Sequence, residues 1–406
     1  MTPGPVTMAD VEAARELLRD VVRPTPLEDS RWLASRVGGP VHLKCENLQR
    51  AGSFKIRGAY VRIARLTDEE RGLGVVAASA GNHAQGVALA ASMLDTKATV
   101  FMPEGAAIVK EKATRAYGAD VRFAGSTIDE ALLEARAFAA ETGAVLIHPF
   151  DHPDIIAGQA TVGLEILEQC PEVKTIVVGA GGGGLIAGIS LVARELRPDV
   201  RVIGVQAEGA AAYPRSIDEG RPVPLERMST MADGIAVGCP GEVPFAMVQE
   251  YVDRFVTVSE ESLSRALVLL LERAKLVVEP AGAAAVAALL DDPDAFDAPA
   301  VAVLSGGNID PLLLLRVIRH GMASAGRYLS FRVRVPDSPG GLARLLGDLA
   351  AVDANVLDVI HERTGATLPV DEVEVALQVE TRGPEHCARV LARLREAGYP
   401  VFLTGE

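Results

Sequence analysis

Ser53-Phe54-Lys55-Ile56-Arg57-Gly58-Ala59 places one lysine after a strand-like run, Val41 to Glu46, with an aromatic before it and small residues around it. A lysine so placed can hold an aldehyde as a Schiff base. That reaction needs a neutral amine, and apolar surroundings favour one by penalising the ammonium. Taken alone, Lys55 is equally an ordinary solvated residue, since lysines are rarely buried without a reason. Ser79-Ala80-Gly81-Asn82-His83 follows the apolar run Val75 to Ala78 and leads into small residues through Ala90. Amide N–H groups and a hydroxyl at such a strand-to-helix turn suit a carboxylate, and Asn82 can hydrogen-bond an oxygen on a bound ring. Gly179-Ala180-Gly181-Gly182-Gly183-Gly184-Leu185 lies between a β-rich run, Thr175 to Val178, and a helix-like one, Ile186 to Arg194. Glycines let the backbone approach an anion closely, and successive N–H groups make a phosphate cradle. Ser305-Gly306-Gly307-Asn308 closes the apolar run Val301 to Leu304 and offers a hydroxyl to a pyridine nitrogen. The plainer readings are a capped helix start and simple turns. The glycine segment also fits G-x-G-x-x-G, with Glu208 near the distance of a ribose-binding acid, so a nicotinamide-dependent oxidoreductase competes. That reading leaves Lys55 and the Ser79–His83 turn without a role.

In this order and spacing the four segments resemble the fold-type II pyridoxal-phosphate enzymes, and within them the threonine dehydratase (threonine ammonia-lyase) branch. The resemblance spans roughly residues 20–320 and includes Pro24-Thr25-Pro26-Leu27, Glu46-Asn47-Leu48-Gln49, Ala232-Asp233-Gly234-Ile235-Ala236 and Val278-Glu279-Pro280-Ala281-Gly282. It implies a tryptophan-synthase-β-like α/β fold with pyridoxal 5'-phosphate as cofactor. Lys55 would carry the cofactor aldehyde and act as the base at Cα. Phe54 would pack by the ring, Asn82 would contact its 3-oxygen, Ser305 would meet the pyridine nitrogen, and Gly181, Gly182, Gly183, Gly184 and Leu185 would hold the phosphate. Ser79, Ala80, Gly81, Asn82 and His83 would surround the substrate carboxylate. The implied reaction is β-elimination, taking L-threonine to 2-oxobutanoate and ammonia, and L-serine to pyruvate, as a first step toward isoleucine. A serine dehydratase or serine racemase-type enzyme is the nearest alternative. Racemases of this branch carry a serine as second base where this chain has Ala80. They also bind a divalent ion through acidic residues where this chain reads Gln206-Ala207-Glu208-Gly209-Ala210-Ala211-Ala212, so no metal of that kind is expected.

The chain has 406 residues and a net charge of −14, which argues against a nucleic-acid surface, because phosphate backbones are met with clustered basic charge. No long apolar run or charged-then-apolar leader is evident, and a cytoplasmic protein is expected without membrane attachment. Cys45, Cys170, Cys239 and Cys387 show no C-x-x-C pattern, and reduced, mostly buried thiols are expected. His148 and His152 are spaced for a helical metal pair, but Pro149 and Pro153 break the helix it would need.

Between residues 41 and 320, short β-rich runs alternate with helical ones, which signals a parallel sheet covered on both faces. The expected catalytic domain is 1–322, with a smaller, mobile subdomain at about 48–148, then a linker at 323–327. Residues 328–406 form a different pattern. Leu329, Phe331, Val333 and Val335 alternate with polar positions, as do Val373, Val375, Leu377 and Val379, and Leu342, Leu345, Leu346 and Leu349 repeat with helical spacing, as do Cys387, Val390, Leu391 and Leu394. With further strands near Val356–Arg363 and Val401–Leu403, the order is βαββαβ, a ferredoxin-like unit. Its opening, Val335-Pro336-Asp337-Ser338-Pro339-Gly340-Gly341-Leu342, resembles the ACT domain, an amino-acid-binding module whose ligands sit between paired copies. That resemblance implies Asp337, Ser338, Gly340 and Gly341 as contacts, isoleucine or valine as effector, and a homodimer or homotetramer. The plainer reading of this tail is oligomerisation alone.

Overall fold

The structure is a computed structural model that describes residues 6–363, 369 and 371–403. It divides into two compact units, Met1–Asp310 and Pro311–Glu406. The division falls before the expected boundary at 322, because Pro311 opens a continuous helix, Pro311–Ser324, that belongs to the second unit and runs into the expected linker.

The first unit has strands β1 (Leu27–Asp29), β2 (Val41–Lys44), β3 (Val75–Ala78), β4 (Ala98–Met102), β5 (Asp120–Phe123), β6 (Val145–Leu146), β7 (Thr175–Gly179), β8 (Arg201–Ala207), β9 (Arg254–Val258) and β10 (Ala300–Val303). They form a six-stranded sheet in the order β1-β2-β10-β7-β8-β9 and a four-stranded one in the order β5-β4-β3-β6. Every pairing is parallel except that of β1 with β2. Parallel strands covered on both faces need apolar residues on both, and β3, β4, β7 and β10 are buried at every position. The helix Pro280–Asp291 is buried at every residue through Leu290, which its run of alanine and glycine allows by keeping the helix thin. Another, Pro153–Gln169, starts with proline where no helical N–H is lost, capped by the His152 ring accepting from Asp154 N.

The second unit adds β11 (Tyr328–Pro336), β12 (Asn355–Glu362), β13 (Glu372–Glu380) and β14 (Val401–Leu403), with helices Gly341–Ala350 and Pro384–Glu396 between them. Its sheet is antiparallel in the order β12-β13-β11-β14. Phe331, Val333, Val335, Val373, Val375, Leu377 and Val379 point to one face and pack on Leu345, Leu349, Val390 and Leu394. Leu342 and Leu346 pack at the edge of that core.

Behind β2 lies a buried charged cluster. Arg57 donates to both oxygens of Glu46 at 2.8 and 2.9 Å, to Glu165 at 2.7 Å and to the Thr161 hydroxyl at 3.0 Å. Lys44 Nζ donates to Glu165 at 2.6 Å, and to Gln169 and the Thr25 carbonyl at 2.9 Å each. Burial works against the charge on Arg57, but Glu46 and Glu165 outweigh it and push the guanidinium further up. For Lys44 burial prevails and lowers the ammonium, with Glu165 opposing. Removing one partner leaves an unpaired buried charge. Arg57→Ala should therefore cost about 3–5 kcal/mol, read as a fall in the urea midpoint, whereas Arg215→Ala, which breaks an exposed pair with Glu219, should stay within about 0.5 kcal/mol.

Candidate active site

Ser79, Gly181 and Ser305 lie just past the carboxyl ends of β3, β7 and β10, while Lys55 follows β2 through two short 3-10 turns. Ligands of parallel sheets collect at those ends. One cavity of about 880 Å³ is lined by Phe54, Lys55, Ser79, Ala80, Gly81, Asn82, His83, Gly181, Gly182, Gly183, Gly184, Leu185 and Ser305. All the residues expected to meet cofactor or substrate thus share one cavity.

Lys55 is the first residue of the helix Lys55–Ala64. Its Nζ donates to the Pro149 carbonyl at 2.8 Å and lies 5.2 Å from the centre of the Phe54 ring. The side chain opens onto the cavity, yet its amine is enclosed by protein, and this desolvation lowers its pKa to about 8, with the Glu279 carboxylate opposing. The segment before it is tied to the Ser305 loop: Phe54 N donates to Ser305 O at 3.2 Å, and Gly307 N to Gly52 O at 2.9 Å.

The glycine segment is shaped by its neighbours as well as by any ligand. A Cβ on Gly182 would sit 2.4 Å from the Phe150 ring, and one on Gly183, whose φ is +101°, 1.8 Å from the Tyr213 hydroxyl. Tyr213 itself donates to Gly182 O at 3.3 Å and stacks on Phe255 with ring centres 4.6 Å apart. Gly184 begins the helix Gly184–Leu196, whose first N–H groups lack helical partners and carry the positive end of its dipole.

At the second turn, Gly81 N donates to the Ser79 hydroxyl at 3.2 Å, and the helix Asn82–Met93 begins. Asn82 Nδ2 donates to Glu279 at 2.6 Å, while its Oδ1 accepts from Asn308 Nδ2 at 2.8 Å. A flipped amide would set oxygen against carboxylate and NH₂ against NH₂, so these two partners fix its orientation. Burial, followed by the charge of Asp233, pushes Glu279 up to about 7. His83 donates from Nε2 to the Ile147 carbonyl at 2.8 Å, and burial, then Lys55, holds it down at about 3, so its ring stays neutral. On the cavity lining Lys110 pairs with Asp233. Glu279, Asn308 and Asp233 lie within the sequence motifs, but no role for them follows there, because what they do depends on partners far away along the chain. A Cβ on Gly306 would strike Glu279 Oε1 at 2.2 Å, so glycine there leaves room for the carboxylate.

In the second unit, Asp337, Ser338 and Gly340 line a cavity of about 550 Å³ with Leu342, Leu346, His361 and Arg363. Gly341 begins the following helix and is not on that lining. Arg363 Nε lies 3.3 Å from Asp337 Oδ2.

The residues of the first cavity fit pyridoxal phosphate. A deprotonatable amine stands at Lys55, an oriented amide at Asn82, a neutral hydroxyl at Ser305, and at Gly181–Gly184 a loop whose glycines have no room for side chains. The comparisons agree. The family model for pyridoxal-phosphate dependent enzymes matches residues 18–306. The L-threonine ammonia-lyase of Thermotoga maritima is 45% identical over 400 residues, 98% of this chain and 100% of that protein. The processed form of threonine deaminase isoform 2 from Solanum lycopersicum superposes with a TM-score of 0.74 at 37% identity, over 78% of this chain and 95% of that one. A maize serine racemase also gives 0.74, at 33% identity over 79% and 99%. The match leaves no place for the nicotinamide reading of the glycine segment, and the chain belongs to the fold-type II pyridoxal-phosphate dependent enzymes, with pyridoxal phosphate as its cofactor.

Proposed function

We propose that this protein is a threonine ammonia-lyase that converts L-threonine to 2-oxobutanoate and ammonia and also accepts L-serine. The observation that carries this reading is the shared cavity, in which an amine of lowered pKa and an anion-binding turn line the same space. A relative of that name aligned along almost the whole chain supports it. Pyridoxal phosphate, when bound, supplies the electron sink that makes the substrate α-proton acidic. The Ser79 hydroxyl and the amides opening the helix Asn82–Met93 hold the substrate carboxylate. The Lys55 amine takes the α-proton. Ala80 offers no second proton carrier, which favours elimination over racemisation. His83 is a weak base, since burial holds its ring neutral, and its Nε2–H is tied to the Ile147 carbonyl. Ser305, as a neutral partner, would not strongly hold a proton on the pyridine nitrogen. Threonine and serine differ by one methyl, worth about 1–3 kcal/mol in a pocket, so both are turned over.

The second unit is an ACT domain in this reading, and Asp337, Ser338 and Gly340 contact isoleucine or valine at an interface between copies of a cytoplasmic dimer or tetramer. Its βαββαβ order and the cavity beside Asp337 support this. An effector acts at a distance only by binding two states unequally.

Lys55→Ala should lower 2-oxo acid formation from threonine by about 10²–10⁴-fold or more while leaving the circular dichroism spectrum intact; turnover retained at the parent rate removes Lys55 as the base. Capture of pyridoxal phosphate by the apoprotein needs the neutral amine. Below about 8 the ammonium dominates, so the capture rate should climb about tenfold per pH unit up to that value and level off above it, as followed by stopped-flow absorbance. Isoleucine or valine should shift the threonine saturation curve, and Asp337→Ala should abolish the shift without changing the unregulated rate. A curve unmoved by both amino acids leaves the tail to assembly alone.

A further inference from the structure

His42, Cys170 and Glu172 meet on the large sheet, toward the amino end of β2 and away from the cavity-bearing strand ends. Cys170 caps the helix Pro153–Gln169, and His42 is the second residue of β2. His42 Nδ1 lies 2.7 Å from Asp29 Oδ1, so Nδ1 carries the proton and Nε2 a lone pair. That Nε2 is buried and has no hydrogen-bond partner among the described residues, an expense that a protein ordinarily avoids. Cys170 as a residue is 1% exposed. One ligand atom each from His42, Cys170 and Glu172 lie within 4.8 Å of one another. Burial, then the Glu172 charge, pushes the thiol up to about 11, so without an ion it stays protonated and unreactive.

We propose that these side chains bind one divalent cation of the zinc class, through His42 Nε2, Cys170 Sγ and one Glu172 oxygen, with water as the fourth ligand. A mixed nitrogen, sulfur and oxygen set suits zinc and its neighbours, whereas calcium and magnesium take oxygen alone. The Asp29–His42 bond is the carboxylate–histidine arrangement that fixes the tautomer and orientation of a ligating imidazole. Glu172 is exposed, which gives the ion a way in and lets the carboxylate turn onto it. Binding releases the thiol proton and joins the end of a long helix to β2 and, through Asp29, to β1. The site stands apart from Lys55, so its role is to brace the first unit rather than to take part in the reaction.

The test uses holoprotein freed of metal with a chelator and titrated with zinc against a chromophoric chelator, and separately with cobalt(II), whose thiolate complexes absorb in the near ultraviolet. One equivalent per chain and a thiolate band are expected, with the band lost in Cys170→Ser. His42→Gln and Glu172→Gln should each weaken zinc binding about 100-fold or more, and Asp29→Ala about 10–100-fold. His42→Gln changes a partly exposed ring and serves should Cys170→Ser fold poorly. Zinc affinity unchanged in His42→Gln, or no cobalt–thiolate band in the parent, overturns the proposal.

Discussion

The geometry of the first unit rests on Arg57, a guanidinium with no solvent contact, whose hydrogen bonds reach Glu46 beyond β2 and Thr161 and Glu165 on the helix Pro153–Gln169. Lys44 closes the cluster by sharing Glu165 and reaching Thr25. Such a cluster is a poor source of net stability, since desolvation offsets most of the attraction. It is a strong constraint on arrangement, because a shift of any one element strands a charge in the interior. Lys55 lies two residues from Arg57 on the same helix, so the cluster that locks this helix also sets where the reactive amine stands.

The electrostatics of the cavity follow from burial rather than from strong ion pairs. Lys55 and Glu279 are both displaced toward their neutral forms, the lysine to about 8 and the glutamate to about 7. His83 is more firmly neutral, and Ser305 carries no charge. The surroundings of Lys55 are therefore well suited to an amine that must lose and regain a proton. Backbone amides face the same space, since the helices beginning at Asn82 and Gly184 open onto the cavity. The close approach of Phe150 and Tyr213 to the glycine segment fixes that loop by packing, so its shape exists before a phosphate arrives.

Much of this was legible in the residue order. Runs such as Val75–Ala78 and Val301–Leu304 are too uniformly apolar for strands with one wet face, and each ends in the small, hydroxyl-bearing or glycine-rich turns that a parallel sheet uses for ligands. Phe331, Val333 and Val335 alternate cleanly and gave the antiparallel tail. Those signals are short-range, because strand burial and turn chemistry are imposed by neighbours within a few residues. The boundary between the units was less visible. Glycines near 321–326 suggested a linker, but Pro311 starts a helix that continues to Ser324.

Residue types and local spacing offered an amine, two turns suited to anions and a hydroxyl, each after a strand, and the resemblance to a known family named the chemistry they would share. What folding added is the set of pairings across long separations. Glu279 orients Asn82, Asn308 holds the other end of that amide, and His42 meets Cys170 and Glu172 although no cysteine or histidine spacing announces it. The reason is physical. A backbone turn can be read from the few residues that build it, whereas a side-chain contact, and the pKa that depends on it, is settled by which distant strands and helices pack together and by how much water they exclude.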